Sequence, residues 1–174
     1  MPELSDQLDG MEKKRAELLQ LVEIQDPEAR RRPPAPEKWT VLQIIWHLVD
    51  AEQKSIATIR KQFDKSTRHR TGLKSRLKSV ALRTFLALDI PIKAPPVVAA
   101  PPATESLDFA TLKADWDAVR ADWRQMAESL PSDRHRDALF KHPIAGKLSF
   151  AQALDFQDAH ADRHARQIRA LVGS

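Results

Sequence analysis

The 174-residue chain contains no cysteine, only four glycines, and no apolar run approaching the roughly 20 residues that a membrane-spanning helix needs. Without cysteine there can be no disulfide framework, thiolate metal site or cysteine nucleophile. The first residues include Glu3, Asp6 and Asp9 and lack the basic and apolar regions of a signal peptide, so the expected setting is reducing and cytoplasmic. The length suits one compact domain over 1–174, with no room for a second catalytic domain or a repeat array.

Lysine and arginine total 28 against 24 acids, a formal charge of +4. The excess is local: Arg60 to Arg83 holds nine basic residues against the single acid Asp64. Such a stripe can meet phosphate or an anionic lipid surface, or be a solvated face. The twelve prolines are clustered and punctuate the chain between periodic stretches. Leu4, Leu8, Met11, Leu18 and Val22 recur at helical spacing and predict a first helix ending before Pro27. The run Arg31 to Pro36 cannot continue it.

Thr40-Val41-Leu42-Gln43 has the form of a capping box, with Trp39 and Ile44 at the positions of a hydrophobic staple. A second helix therefore starts near Val41 and runs to about residue 65. Leu73, Leu77, Val80, Ala81, Phe85 and Leu88 predict a shorter amphipathic stretch, strongly basic off the stripe. Residues 89 to 105, rich in proline, can only be extended or irregular. Leu112, Trp116, Val119, Trp123, Met126 and Leu130 predict a third long helix stopped by Pro131. A second capping box, Ser149-Phe150-Ala151-Gln152, opens the last helix, which stops at Gly173. No segment reads as a strand. The expected fold is all-α: a four-helix bundle with an insertion over 66–105 between its second and third helices. That insertion, from Lys65 to Glu105, is expected to form a wall or cover near the mouth of any site in the bundle.

His160 and His164 lie four residues apart, so both imidazoles project from one helix face about 6 Å apart, where one metal ion can bridge them. They fall on the core-facing stripe between Leu154 and Ile168, where each ring needs a polar partner. Ala161 stands where the zincin motif carries its glutamate, which excludes that protease chemistry. His47 sits among apolar neighbours on the second helix; it reads either as a core imidazole bonded to a backbone or carboxylate group, or as a third ligand. Gln43, Asp50, Glu52 and Asp158 are the nearby candidates to accept ring N–H groups. His142, before Pro143, is a candidate for the rim of the site, while Arg163 and Arg166 read either as binders of a substrate carboxylate or, being off the core stripe, as solvent-facing.

Three stretches together resemble the DinB-like (YfiT-like) superfamily of four-helix-bundle metalloenzymes: Trp39 to Gln43 leading to His47, His142 to Ser149, and His160 with His164 before Gln167. The resemblance implies one divalent ion, commonly zinc or nickel, held by three histidines at the positions of His47, His160 and His164. It further implies a small-molecule substrate, a low-molecular-weight thiol as cosubstrate in some members, and a homodimer. Three neutral imidazoles leave a coordination position open, as catalytic rather than structural sites do. The expected function is a metal-dependent enzyme carrying out thiol transfer, hydrolysis or isomerisation. The alternative is a non-catalytic module that contacts nucleic acid or an anionic membrane through the basic segment 60–83; neither is the expected partner of the enzyme.

Overall fold

The structure is a computed structural model that describes residues 2–65, 68–88 and 100–173. Four long helices make the bundle: α1 (Pro2–Glu23), α3 (Val41–Phe63), α5 (Phe109–Ser129) and α6 (Phe150–Val172). Between them lie the short α2 (Pro27–Arg31), α4 (Leu73–Ala87) and a hairpin of β1 (Phe140–His142) and β2 (Gly146–Leu148). Packing runs α1 to α5, α5 to α3, α3 to α6 and α6 to α1, which closes a ring around the core. Trp116, Trp123, Ile45, Leu48, Phe150 and Leu154 are fully buried inside it. The prolines act as expected: α1 stops short of Pro27, which then opens α2 with Asp26 capping the backbone N–H groups of Glu28 and Ala29.

Both capping boxes form. Thr40 Oγ1 accepts from Gln43 N at 3.2 Å while Gln43 Oε1 accepts from Thr40 N at 3.1 Å. Ser149 and Gln152 repeat the exchange at 3.3 and 3.0 Å. These boxes fix where α3 and α6 begin, and therefore the height at which their histidines sit. The hairpin is absent from the sequence reading because three-residue strands are too short to show alternation. Its register pairs Phe140 with Leu148 and His142 with Gly146, and Gly146 takes a positive φ of 78° at the turn.

α4 lies outside the ring against α6 and β2, and its orientation departs from the expected stripe. Ser79, Leu82 and Leu86 are buried, whereas Leu73, Leu77 and Val80 face outward. The helix has apolar residues on two faces, so periodicity alone cannot choose between them. Polar anchors choose: Ser75 Oγ lies 2.7 Å from Lys147 O and 2.9 Å from Gln152 Oε1, and Arg166 Nη2 donates to Leu86 O at 2.9 Å. The chain before α4 is tied down as well, with Ala138 N donating to His69 O and Arg68 bonded to Asp133 and Asp137. After it, Pro91, Pro95 and Pro96 fall outside the described residues. Thr104, further on, meets Thr40 at the start of α3.

Candidate metal centre

α3 and α6 cross so that the three histidines meet. His47 is 8% exposed and His164 9%, and both reach His160. His160 Nε2 lies 3.2 Å from His47 Nε2 and 3.1 Å from His164 Nε2. The rings stand nearly perpendicular to one another, at 81°, 74° and 86°. Two nitrogens bound about 2.1 Å from one tetrahedral ion are themselves about 3.4 Å apart, close to these separations. Among the described residues these three side chains form the one group of three or more potential metal ligands with their donor atoms within 4.8 Å of each other.

The donor chemistry fits a cation. Gln167 Oε1 accepts from His164 Nδ1–H at 2.6 Å, so in the neutral ring the Nε2 facing the cluster is the unprotonated nitrogen. His160 Nε2 can donate to only one of its two neighbours, so the convergence of three such nitrogens leaves at least one contact mismatched, with two lone pairs or two hydrogens facing each other, whereas a cation between them accepts all three lone pairs. Burial pushes the His47 pKa below its ordinary value, with Asp50 opposing and Lys54 assisting. Burial holds His160 well below it too, assisted by the neighbouring His164 and His47. Both rings are thus neutral at pH 7 and present lone pairs, as ligands must.

The candidate N–H acceptors lie elsewhere. Gln43 closes its capping box and donates to Pro102 O at 2.9 Å. Asp50 pairs with Lys54 at 2.7 Å, and Asp158 with Lys14 at 2.8 Å. Glu52, 1% exposed, points to α5, where it accepts from Trp116 Nε1 at 3.0 Å and Arg120 Nη2 at 2.9 Å. None of the four bonds a ligand ring; Gln167 does, while His47 Nδ1 and His160 Nδ1 are buried without a protein partner. Gln167 follows His164 by three residues, just under one helical turn, and that i, i+3 spacing was the available signal.

A cavity of about 750 Å³ opens onto the cluster, lined largely by apolar groups such as Trp39, Ile44, Phe85, Leu86, Ile144 and Phe156. α4 contributes Leu82, Phe85 and Leu86, so the described part of the insertion does wall the site. Trp39 packs on His47 at 5.1 Å between ring centroids, and Phe156 stacks on His160 at 5.5 Å. His142 belongs to β1 rather than to a loop; it is 7% exposed, lines the same cavity and rests edge-on against Phe156. Its Nδ1 accepts from both Ile144 N and Ala145 N at 3.1 Å, so the neutral ring carries its hydrogen on Nε2. Burial pushes its pKa down to about 4. Arg163, expected to face solvent, is buried at 8% exposure and lines the cavity.

The chain matches the sequence profile of the DinB superfamily over residues 11–168. Among solved structures, YfiT from Bacillus subtilis superimposes with a TM-score of 0.65 at 18% identity, over 97% of this chain and 85% of that one. That protein is described as a probable metal-dependent hydrolase with an unusual four-helix bundle topology. No curated protein matches the chain in sequence.

Proposed function

We propose, from the premise that this chain belongs to the DinB superfamily, that it is a metal-dependent enzyme in which His47, His160 and His164 hold one divalent ion and a small molecule reacts in the adjoining cavity. The observation that carries this reading is the meeting of three imidazole Nε2 atoms, one of whose rings is oriented by Gln167, at the wall of a largely apolar cavity. Zinc or nickel suits an all-imidazole donor set. A divalent ion held there supplies Lewis acidity, polarising a substrate oxygen or acidifying water or a thiol into a nucleophile at neutral pH.

The chain's own groups do the rest. His47 and His160 are kept neutral by burial and so offer lone pairs without first losing a proton. The cavity wall of Trp39, Phe85, Phe140 and Phe156 favours an apolar substituent and displaces water. Arg163 places a guanidinium at that wall, where a carboxylate or a developing negative charge is favoured. His142 has its Nδ1 committed to two backbone donors, and its neutral ring can donate a hydrogen bond through Nε2–H to a substrate oxygen.

Hydrolysis is the reaction this arrangement favours, and the description of YfiT as a probable metal-dependent hydrolase supports it. Thiol transfer is the second reading. In that reading the thiol arrives as a cosubstrate, because the chain has no cysteine. A screen of esters, amides and lactones, and of small thiols with electrophiles, each with and without chelator, separates the two. Turnover of a hydrolytic substrate without thiol, abolished by chelator and restored by zinc or nickel, is the expected result. Turnover that strictly requires a thiol establishes transfer instead. Full activity in chelator-treated, metal-free protein overturns both.

A further inference from the structure

The outward face of α4 carries an apolar stripe over its first two turns, interrupted by the exposed Thr84 and resumed at Leu88, the residue that caps its end. Leu73, Leu77, Val80 and Leu88 are exposed at 71%, 63%, 59% and 63%. At about 100° per residue these four positions fall within about 80° of the helix circumference, forming one stripe. Lys74 and Lys78 border it on one side, Arg76 and Arg83 on the other, and the helix contains no acidic residue. Arg83 reaches Asp155 at 3.3 Å, but none of the ion pairs of the described residues uses Lys74, Arg76 or Lys78.

This pattern selects among partners. A second copy docked stripe to stripe brings basic flanks against basic flanks, which is repulsive. Duplex nucleic acid satisfies the flanks through its phosphates but leaves the leucines with no apolar surface to cover them. A bilayer with anionic headgroups satisfies both: the leucines enter the acyl boundary while the lysine and arginine stems lie along it and hold their charges among the phosphates. We propose that the outer face of α4 docks this protein on an anionic membrane surface. The opposite side of the same helix, through Leu82, Phe85 and Leu86, walls the cavity. Docking thus sets the cavity wall one helix thickness from lipid, a position suited to apolar substrates. The inference does not depend on what the histidine cluster binds.

Co-sedimentation of the full chain with large vesicles tests it, using phosphatidylcholine alone and phosphatidylcholine mixed with phosphatidylglycerol, at low and high salt. Wild type is expected to pellet with the anionic vesicles only, and less so as salt rises. The combined variant Leu73→Ser, Leu77→Ser, Val80→Ser changes solvent-exposed positions and should keep its helical circular dichroism while binding about tenfold or more weakly. Lys74→Glu with Lys78→Glu should remove the preference for anionic lipid. The proposal is overturned if wild type stays in the supernatant with anionic vesicles, or if the triple-serine variant binds them as wild type does. It is also overturned if the stripe instead covers a second copy, seen as a dimer in light scattering that the triple-serine variant dissociates. Salt-sensitive retention on duplex DNA without vesicle binding would overturn it as well.

Discussion

The hydrogen bond from His164 Nδ1 to Gln167 Oε1 shows how one side chain at the right spacing decides what a ring can do. Replacing Gln167 by Leu frees the ring to adopt either tautomer, and metal affinity is expected to fall about 10- to 100-fold, measured by competition with a chromogenic chelator. His47→Ala, His160→Ala and His164→Ala should each lose the ion under conditions where wild type holds one per chain, while circular dichroism stays helical, because the apolar stripes that hold the bundle are untouched. Full metal content in all three variants would sink the three-histidine site. His142 gives a pH prediction with a definite sign. The unfolded chain takes up its proton near the ordinary value of 6.5 and the folded chain only near about 4, so between these the unfolded state binds more protons. Stability is therefore complete above pH 6.5 and is lost on acidification toward pH 4, by at most about 1.4 kcal/mol per pH unit from this ring. His142→Asn, whose amide oxygen can accept the same two backbone N–H groups, should flatten that part of the profile in denaturant melts.

At the level of elements, α3 serves two partners on two sides. His47 faces α6 and the cavity, while Glu52 faces α5, where Trp116 and Arg120 hold it in the core. The Glu52–Arg120 pair, 1% and 8% exposed, leaves Glu52 Oε2 and Arg120 Nε and Nη1 without protein partners, so its coulombic gain is set against heavy desolvation. Burial accordingly raises the Glu52 pKa despite the opposing guanidinium. Arg120→Ala should destabilise the fold by about 3–5 kcal/mol in urea titrations, because it strands the carboxylate. Glu52→Leu combined with Arg120→Leu should cost less than Arg120→Ala alone; a larger loss from the double change would show that the pair stabilises α3 against α5 outright. At the start of α6, Ser149→Ala removes one half of a capping box and should cost about 1 kcal/mol.

For the whole molecule, the question is how a site inside a bundle communicates with solvent. α4 forms part of the cavity wall and is held on α6 and β2 by the buried Leu82 and Leu86 together with hydrogen bonds at Ser75 and Arg166. Replacing residues 70 to 103 by a short glycine-serine linker should leave metal affinity near wild type and speed removal of the ion by small chelators, followed by stopped-flow absorbance. Unchanged chelator kinetics would mean that α4 does not limit access. The two-fold dimer that the family resemblance implies would have its interface away from the outer face of α4, where the basic flanks of two copies would repel. Light scattering giving twice the 19.7 kDa chain mass, unaltered by the triple-serine change, is the expected outcome.

The sequence by itself determined the elements whose signals are local. Capping boxes at Thr40 and Ser149, proline breaks and long 3.6-residue stripes each depend on neighbours a few positions away, so four long helices, the starts of α3 and α6 and the i, i+4 pair His160 and His164 were legible. His47 could be picked out as a polar ring in an apolar run, but whether it was a core imidazole or a third member of the cluster depended on how α3 and α6 pack. Tertiary structure alone decided the rest. Glu52 and Asp158 sit near the histidines in sequence and yet face α5 and α1, because a helix turns successive residues to different neighbours. Arg163 lies inside the cavity because α4 and the hairpin cover that side of α6. α4 itself, apolar on two faces, was oriented by hydrogen bonds from Ser75 and Arg166 to residues far away in the chain, which no periodicity within the helix encodes.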